Sequence, residues 1–141
     1  MDQLPADYFG ELARQLAFVS AVLGGFAATF FGTLLAVDSP KKVAGWAASC
    51  AAVAAACFVC ATLTATFIAV GTHPSAPAPV ATDTVKAGPR VAMVLSMMIG
   101  LYALFGSLGA GGWVRSRAVG TATTVAAALG AAFATWAISG F

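Results

Sequence analysis

The chain has 141 residues, of which 60% are hydrophobic and only 9% are charged, and its formal net charge is +2. An ordinary soluble domain carries about 25% charged residues, so this composition excludes a water-facing globule. The charge is also too small for the large basic face that nucleic-acid binding requires, and we expect no nucleic-acid partner. These properties predict an integral membrane protein whose main partner is the lipid bilayer.

Four stretches without Asp, Glu, Lys, Arg or His are long enough to cross a membrane. A transmembrane helix needs about 20 apolar residues to span about 30 Å of hydrocarbon. Strands of a transmembrane barrel would be about 10 residues long with alternating apolar and polar positions, and no such alternation occurs here. The sequence therefore predicts an all-α membrane protein, with a single four-helix transmembrane domain over residues 1–141. The predicted spans are 16–37, 43–72, 91–114 and 118–141.

The segments between the spans predict how the helices are connected. Pro40 lies in the stretch 38–42 and disfavours a helix there. The stretch 111–117, with two glycines and two arginines, makes a second short joint. We therefore expect two helical hairpins. Residues 73–89 contain four prolines and many small residues, which predicts a flexible linker between the hairpins.

The loop charges bear on orientation and location. Cytoplasmic loops carry an excess of Lys and Arg, but the two sides of this chain are nearly equal. Four such residues flank the short joints and three flank the termini and the linker: Lys41, Lys42, Arg115 and Arg117 against Arg14, Lys86 and Arg90. A margin of one leaves both orientations open. The short chain without a eukaryotic-style targeting signal favours the inner (plasma) membrane of a bacterium.

The predicted spans offer little chemistry. Ionisable residues inside a membrane usually mark proton relays and ion sites, and these spans have no Asp, Glu, Lys, Arg or His. Cys57 and Cys60 form a Cys-x-x-Cys pair in the second span, but no further metal ligand is near in sequence, so we interpret them as small packing residues. The single histidine, His73, lies in the linker and cannot form a bis-histidine haem site. We expect no enzyme activity, no cofactor and no firm metal site.

One face of the first helix has a distinct chemical order. Positions three or four apart share a face of a helix with 3.6 residues per turn. If several copies surrounded an axis, this face would provide a basic mouth, a hydrophobic constriction and a hydroxyl collar. A helix that packs against lipid or another protein also has such a stripe, so the spacing alone leaves both alternatives open. The face consists of Arg14, Phe18, Val22, Gly25, Thr29 and Thr33.

Residues 20–27, with the sequence SAVLGGFA, resemble the pore-helix motif Ser-Ala-x-Leu-x-Gly-Phe-Ala of the Orai calcium-release-activated channels. In the third span, Ser96, Ile99 and Gly100, and then residues 113–115, fall at the offsets of the Ser-x-x-Ile-Gly and Trp-Val-Lys stretches of that family. This resemblance implies a homo-oligomer, a hexamer, in which six copies of the first helix line an ion pore. It also assigns roles by position: basic cytosolic positions to Arg14 and Phe18, and the hydrophobic section and hinge to Val22, Gly25, Phe26 and Thr29.

Three positions bear on ion selectivity. Two of them stand where the family has an acidic residue, and the third is an acidic residue of this chain. Thr33 stands where the family has the glutamate whose ring binds calcium, and a hydroxyl ring is a weaker calcium site than a carboxylate ring. Ser107 stands where the family has a buried acid. Asp38 is the nearest acid and the candidate for a looser outer ring, although its position favours the interpretation as a residue of a helix end or turn. The sequence thus predicts a channel for inorganic cations without predicting calcium selectivity. The alternative is a non-conducting membrane scaffold or accessory subunit.

Overall fold

The computed structural model describes residues 6–37, 42–73, 75–77 and 87–139. These residues form four helices: α1 (Ala6–Ala36), α2 (Lys42–Gly71), α3 (Ala87–Arg115) and α4 (Arg117–Ser139). At 1.5 Å per residue, α4 with 23 residues extends about 35 Å and α1 with 31 residues about 46 Å. Each helix contains a segment long and apolar enough to cross a membrane. The predicted all-helical fold with four such helices is confirmed, and it indicates a multi-pass integral membrane protein.

The helix ends differ from the predicted spans because helices continue past the apolar segments. α1 begins at Ala6, ten residues before the predicted span at position 16. α3 begins at Ala87, so the predicted linker was wrong for residues 87–89. Pro89 lies in the first turn of α3, where a missing backbone N–H costs nothing and the fixed φ suits the helix. At the other end of the linker, His73 and Ala76 belong to a turn in which the Ala76 N–H donates to the His73 carbonyl at 2.9 Å.

α2 is the central helix, since α1 and α3 both pack along it while α4 packs along α3. Small residues let transmembrane helices approach closely where no contact with water drives them together. Accordingly, the buried residues of α2 recur every three or four positions and are mostly alanines: Ala44, Ala47, Ala51, Ala54, Phe58, Ala61, Ala65, Ile68 and Gly71.

Phe58 fills the junction of three helices. Its side chain is fully buried and clusters with Ala27 of α1 and Leu104 of α3. Gly24 faces it from α1 and Gly100 from α3, and a Cβ atom on either glycine would lie 3.2 Å from a Phe58 carbon. Both positions therefore suit glycine, because a side chain on Gly24 would press on the Phe58 Cβ atom and one on Gly100 would press on the Phe58 ring. A second cluster joins the same three helices through Ala13, Ala65, Ile68 and Met93.

Neighbouring helices run antiparallel. This places the end of α1, the start of α2 and the joint between α3 and α4 at one end of the molecule, and the end of α2 and the start of α3 at the other. In the facing pairs, the residue number rises along one helix while it falls along its neighbour. The pairs are Gly10 with Thr72 and Gly24 with Phe58, Gly100 with Cys57 and Gly106 with Cys50, Gly120 with Trp113 and Gly130 with Phe105.

Candidate pore-lining face of the first helix

α1 has one packed face and one open face. The packed face turns toward α2 and α3, and its buried members are Ala13, Ser20, Gly24 and Ala27. Leu16 and Leu23 lie on the same side and pack against the two buried clusters. The opposite side of α1 is exposed, since α4 packs along α3.

Every predicted pore residue on α1 lies on the open face. Phe18 is 72% exposed and Val22 is 55% exposed. A Cβ atom on Gly25 would meet no other atom within 4 Å. From the first to the last of these residues the face extends about 28 Å along the helix axis, close to the roughly 30 Å of a hydrocarbon core. The exposed set is Arg14, Phe18, Val22, Gly25, Phe26, Thr29 and Thr33.

The segment that carries the family resemblance, residues 20–27, contributes to both faces. Ser20 is 1% exposed and its Oγ donates to the Met97 Sδ of α3 at 3.3 Å. Ala27 is fully buried, whereas Val22 and Phe26 point away from the other helices. The segment therefore combines residues that hold α1 against its own subunit with residues that are left open.

Aromatic contacts connect Phe26 with α3. Its ring stacks on the Phe30 ring with a centroid separation of 6.4 Å and an interplanar angle of 1°. Phe30 in turn packs on Gly111 of α3, where a Cβ atom would lie 3.0 Å from the Phe30 Cζ atom. The Phe26 ring on the open face is therefore connected to α3 through one intervening ring, that of Phe30.

The threonines at the far end of the face already have partners for their hydroxyl protons. Thr29 Oγ1 donates to the Gly25 carbonyl at 2.9 Å, and Thr33 Oγ1 donates to the Phe30 carbonyl at 2.7 Å. A hydroxyl oxygen has two acceptor lone pairs besides its proton. These side chains are thus tolerated in lipid, and they present only acceptor oxygens to a partner such as a cation.

Glu11 belongs to the open face, although it is not among the residues that the sequence predicted for the pore. Its Oε2 atom lies 3.7 Å from Arg14 Nη1, with both side chains 60% exposed. Glu11 precedes Thr29 by 18 residues, which is five full helical turns, so both lie on the same line along the unbroken α1. Extending the helical periodicity toward the N-terminus would have found it. Arg14 is at the edge of the face, where it also lines a groove with His73.

The remaining candidate positions do not add a charged site within the described residues. Asp38, the proposed outer acidic ring, lies outside the residues that the structure describes. Ser107, where the resembled family has an acid, is fully buried, and its Oγ donates to the Leu104 carbonyl at 2.8 Å. His73 accepts the Ser75 N–H at its Nδ1 atom at 3.2 Å, in the turn after α2.

The three cysteines are free thiols on α2. Cys50 and Cys57 are half-buried and face glycines of α3, whereas Cys60 is exposed. Within the described parts of the chain, no three His, Cys, Asp or Glu side chains are grouped closely enough to hold a metal ion.

Comparison with protein families, with curated proteins and with solved structures finds no match to this chain. The relation to the Orai family therefore stays a prediction that rests on residues 20–27 and on the matching positions of the third span.

Proposed function

We propose that the chain forms an oligomeric channel for inorganic cations, in which copies of α1 surround a central axis. The observation that supports it is that α1 has two faces of different exposure. One face is packed against α2 and α3, while the chemically ordered face from Arg14 to Thr33 is open along the thickness of a membrane. If this face were buried against the other helices of its own subunit, α1 could not line a pore between subunits.

In this assembly the open face supplies three kinds of ring. Phe18, Val22 and Phe26 form a hydrophobic section that gates by dewetting. Beyond it, the acceptor oxygens of Thr29 and Thr33 form a collar for cations. At the opposite mouth each Arg14 carries its own counter-charge on Glu11, so the mouth holds both signs of charge and does not repel cations as a purely basic ring would.

The proposed oligomer is a hexamer, as the family resemblance implies, and each subunit contributes two helical hairpins. The α1–α2 hairpin stands nearest the axis. The α3–α4 hairpin stands toward lipid, which agrees with the exposure of Val125, Leu129 and Phe133 at 59–68% on α4. We place the assembly in the inner membrane of a bacterium.

A second candidate is a non-conducting scaffold or accessory subunit. The observation that favours it is that the hydroxyl protons of Thr29 and Thr33 are already bonded within α1. The threonine end of the open face therefore has no unmet hydroxyl donor, and a helix of another protein or lipid covers it without loss of these hydrogen bonds.

Ion flux from liposomes that contain the purified protein tests the proposal. Phe26→Ala removes an exposed aromatic ring from the proposed constriction and should increase the leak of potassium or sodium. Phe133→Ala is the matched control, since it removes a ring that is 68% exposed on α4 and should leave the leak unchanged. If neither the native protein nor Phe26→Ala conducts sodium, potassium or calcium after verified oligomeric reconstitution, the channel proposal is refuted in favour of the scaffold.

A further inference from the structure

Two adjoining grooves lie along α3, one toward α4 and one toward α2. The groove between α3 and α4 has a volume of about 590 Å³ and is lined mainly by small residues, with Tyr102 and Trp113 among its walls. The groove between α2 and α3 has a volume of about 520 Å³ and includes Lys42 and Trp46. The two grooves meet where Gly106 of the first faces Cys50 of the second.

The walls of the groove between α3 and α4 favour an apolar occupant. The hydroxyls of Tyr102 and Thr135 are hydrogen-bonded to each other at 2.7 Å. The Trp113 Nε1–H donates to Thr124 Oγ1 at 3.0 Å. The side-chain donors of Tyr102 and Trp113 are thus hydrogen-bonded to α4. The groove runs from Trp113 to Tyr102, about 16 Å along α3, which is close to half of the roughly 30 Å hydrocarbon core. Its length therefore matches one leaflet.

The grooves open at the basic end of the molecule. Lys42 is the first residue of α2 and lines one groove, and its neighbour Val43 lines the other. Arg115 and Arg117 follow Trp113 closely at the joint between α3 and α4. All three cationic side chains are exposed. Exposed tryptophans, such as Trp46 at 73%, prefer the level of lipid headgroups, so this end lies where lipid phosphates are found.

From this geometry we infer that the two grooves bind an anionic phospholipid. Its two acyl chains lie in the adjoining grooves, and its phosphate lies at the cluster of Lys42, Arg115 and Arg117. The charge complementarity with the cluster selects an anionic lipid over a zwitterionic one, and the leaflet-long apolar walls select a lipid over a soluble anion. No residue of α1 is among those that line the two grooves, and the inference does not depend on the channel proposal.

Quenching of tryptophan fluorescence by brominated lipids tests the inference in vesicles. Trp46 and Trp113 line the grooves, and Trp136, exposed on α4, reports on bulk lipid. Brominated phosphatidylglycerol should quench the native protein at lower mole fraction than brominated phosphatidylcholine does. A Trp46→Phe/Trp113→Phe variant should show no such preference. Equal quenching of the native protein by both lipids would overturn the inference.

Two substitutions, each with a control variant, test the role of the charge and the role of the groove separately. Lys42→Gln should reduce the preference for the anionic lipid about five-fold, since one cation near a membrane surface contributes about 1 kcal/mol. Arg14→Gln removes a cation of equal charge elsewhere and should leave the preference unchanged. Gly106→Leu fills the groove and should weaken quenching by both lipids, while Gly32→Leu, at a position with open space, should not. An unchanged preference in Lys42→Gln, or unchanged quenching in Gly106→Leu, would refute the site.

Discussion

The adjacent glycines Gly24 and Gly25 give the most quantitative test of the fold. A methyl group on Gly24 would lie 3.2 Å from the Phe58 Cβ atom, whereas a methyl group on Gly25 would meet nothing within 4 Å. The Phe58 ring has little room to shift toward α3, because it packs against Gly100, where an added Cβ atom would lie only 3.2 Å from the ring. Overpacking of this kind costs about 1–3 kcal/mol. The two substitutions to alanine therefore differ in packing although they are neighbours in sequence.

The comparison of Gly24→Ala with Gly25→Ala isolates that packing cost. Both changes gain the same helix propensity, about 1 kcal/mol, so the gain cancels in the difference. We expect Gly24→Ala to be less stable than Gly25→Ala by about 1–3 kcal/mol. The measurement is equilibrium unfolding by sodium dodecyl sulfate in mixed micelles, followed by circular dichroism, under conditions in which the protein is monomeric. Equal stability of the two variants would show that Phe58 is not enclosed between α1 and α3.

Two further predictions concern conduction. Glu11→Gln leaves Arg14 without its carboxylate at the mouth, so the permeability ratio of potassium to chloride should fall, most strongly at low salt where charges are least screened. Reversal potentials in planar bilayers measure this ratio, and an unchanged value would contradict the placement of Glu11 on the pore axis. Gly111→Ala pushes on the aromatic rings that lead to Phe26 and should alter the flux, whereas Gly45→Ala, where a Cβ atom meets nothing within 4 Å, should not. Equal flux in these two variants would contradict the coupling through α3.

The number of helices and the open face of α1 were predictable from the sequence for physical reasons. A run of about 20 residues without charge has few alternatives to crossing the membrane. On α1, the polar residues Arg14, Thr29 and Thr33 share one face about 100° wide with the apolar residues between them. The polar residues identify this face in the sequence, and the same face is exposed in the structure.

The packing order of the helices was not predictable, because α2 is apolar on every side. Phe58 and Phe67 are the same residue type on the same helix, yet Phe58 is fully buried and Phe67 is 47% exposed. Lipid is as apolar as a protein interior, so no hydrophobic contrast separates the two positions. The helix ends were missed for a related reason. Hydropathy marks the apolar segment, whereas α1 and α3 continue into the polar region at Glu11 and Pro89.

The central claim, that the open face of α1 meets copies of itself, is tested most directly by disulfide cross-linking in native membranes. In a chain whose three native cysteines are replaced by alanine, Thr29→Cys should form covalent dimers on mild oxidation, because a disulfide requires Cα atoms within about 7 Å. Ala27→Cys, on the packed face, and Phe133→Cys, exposed on α4, should form few dimers. Cross-linking of Thr29→Cys no greater than that of Phe133→Cys would contradict the account.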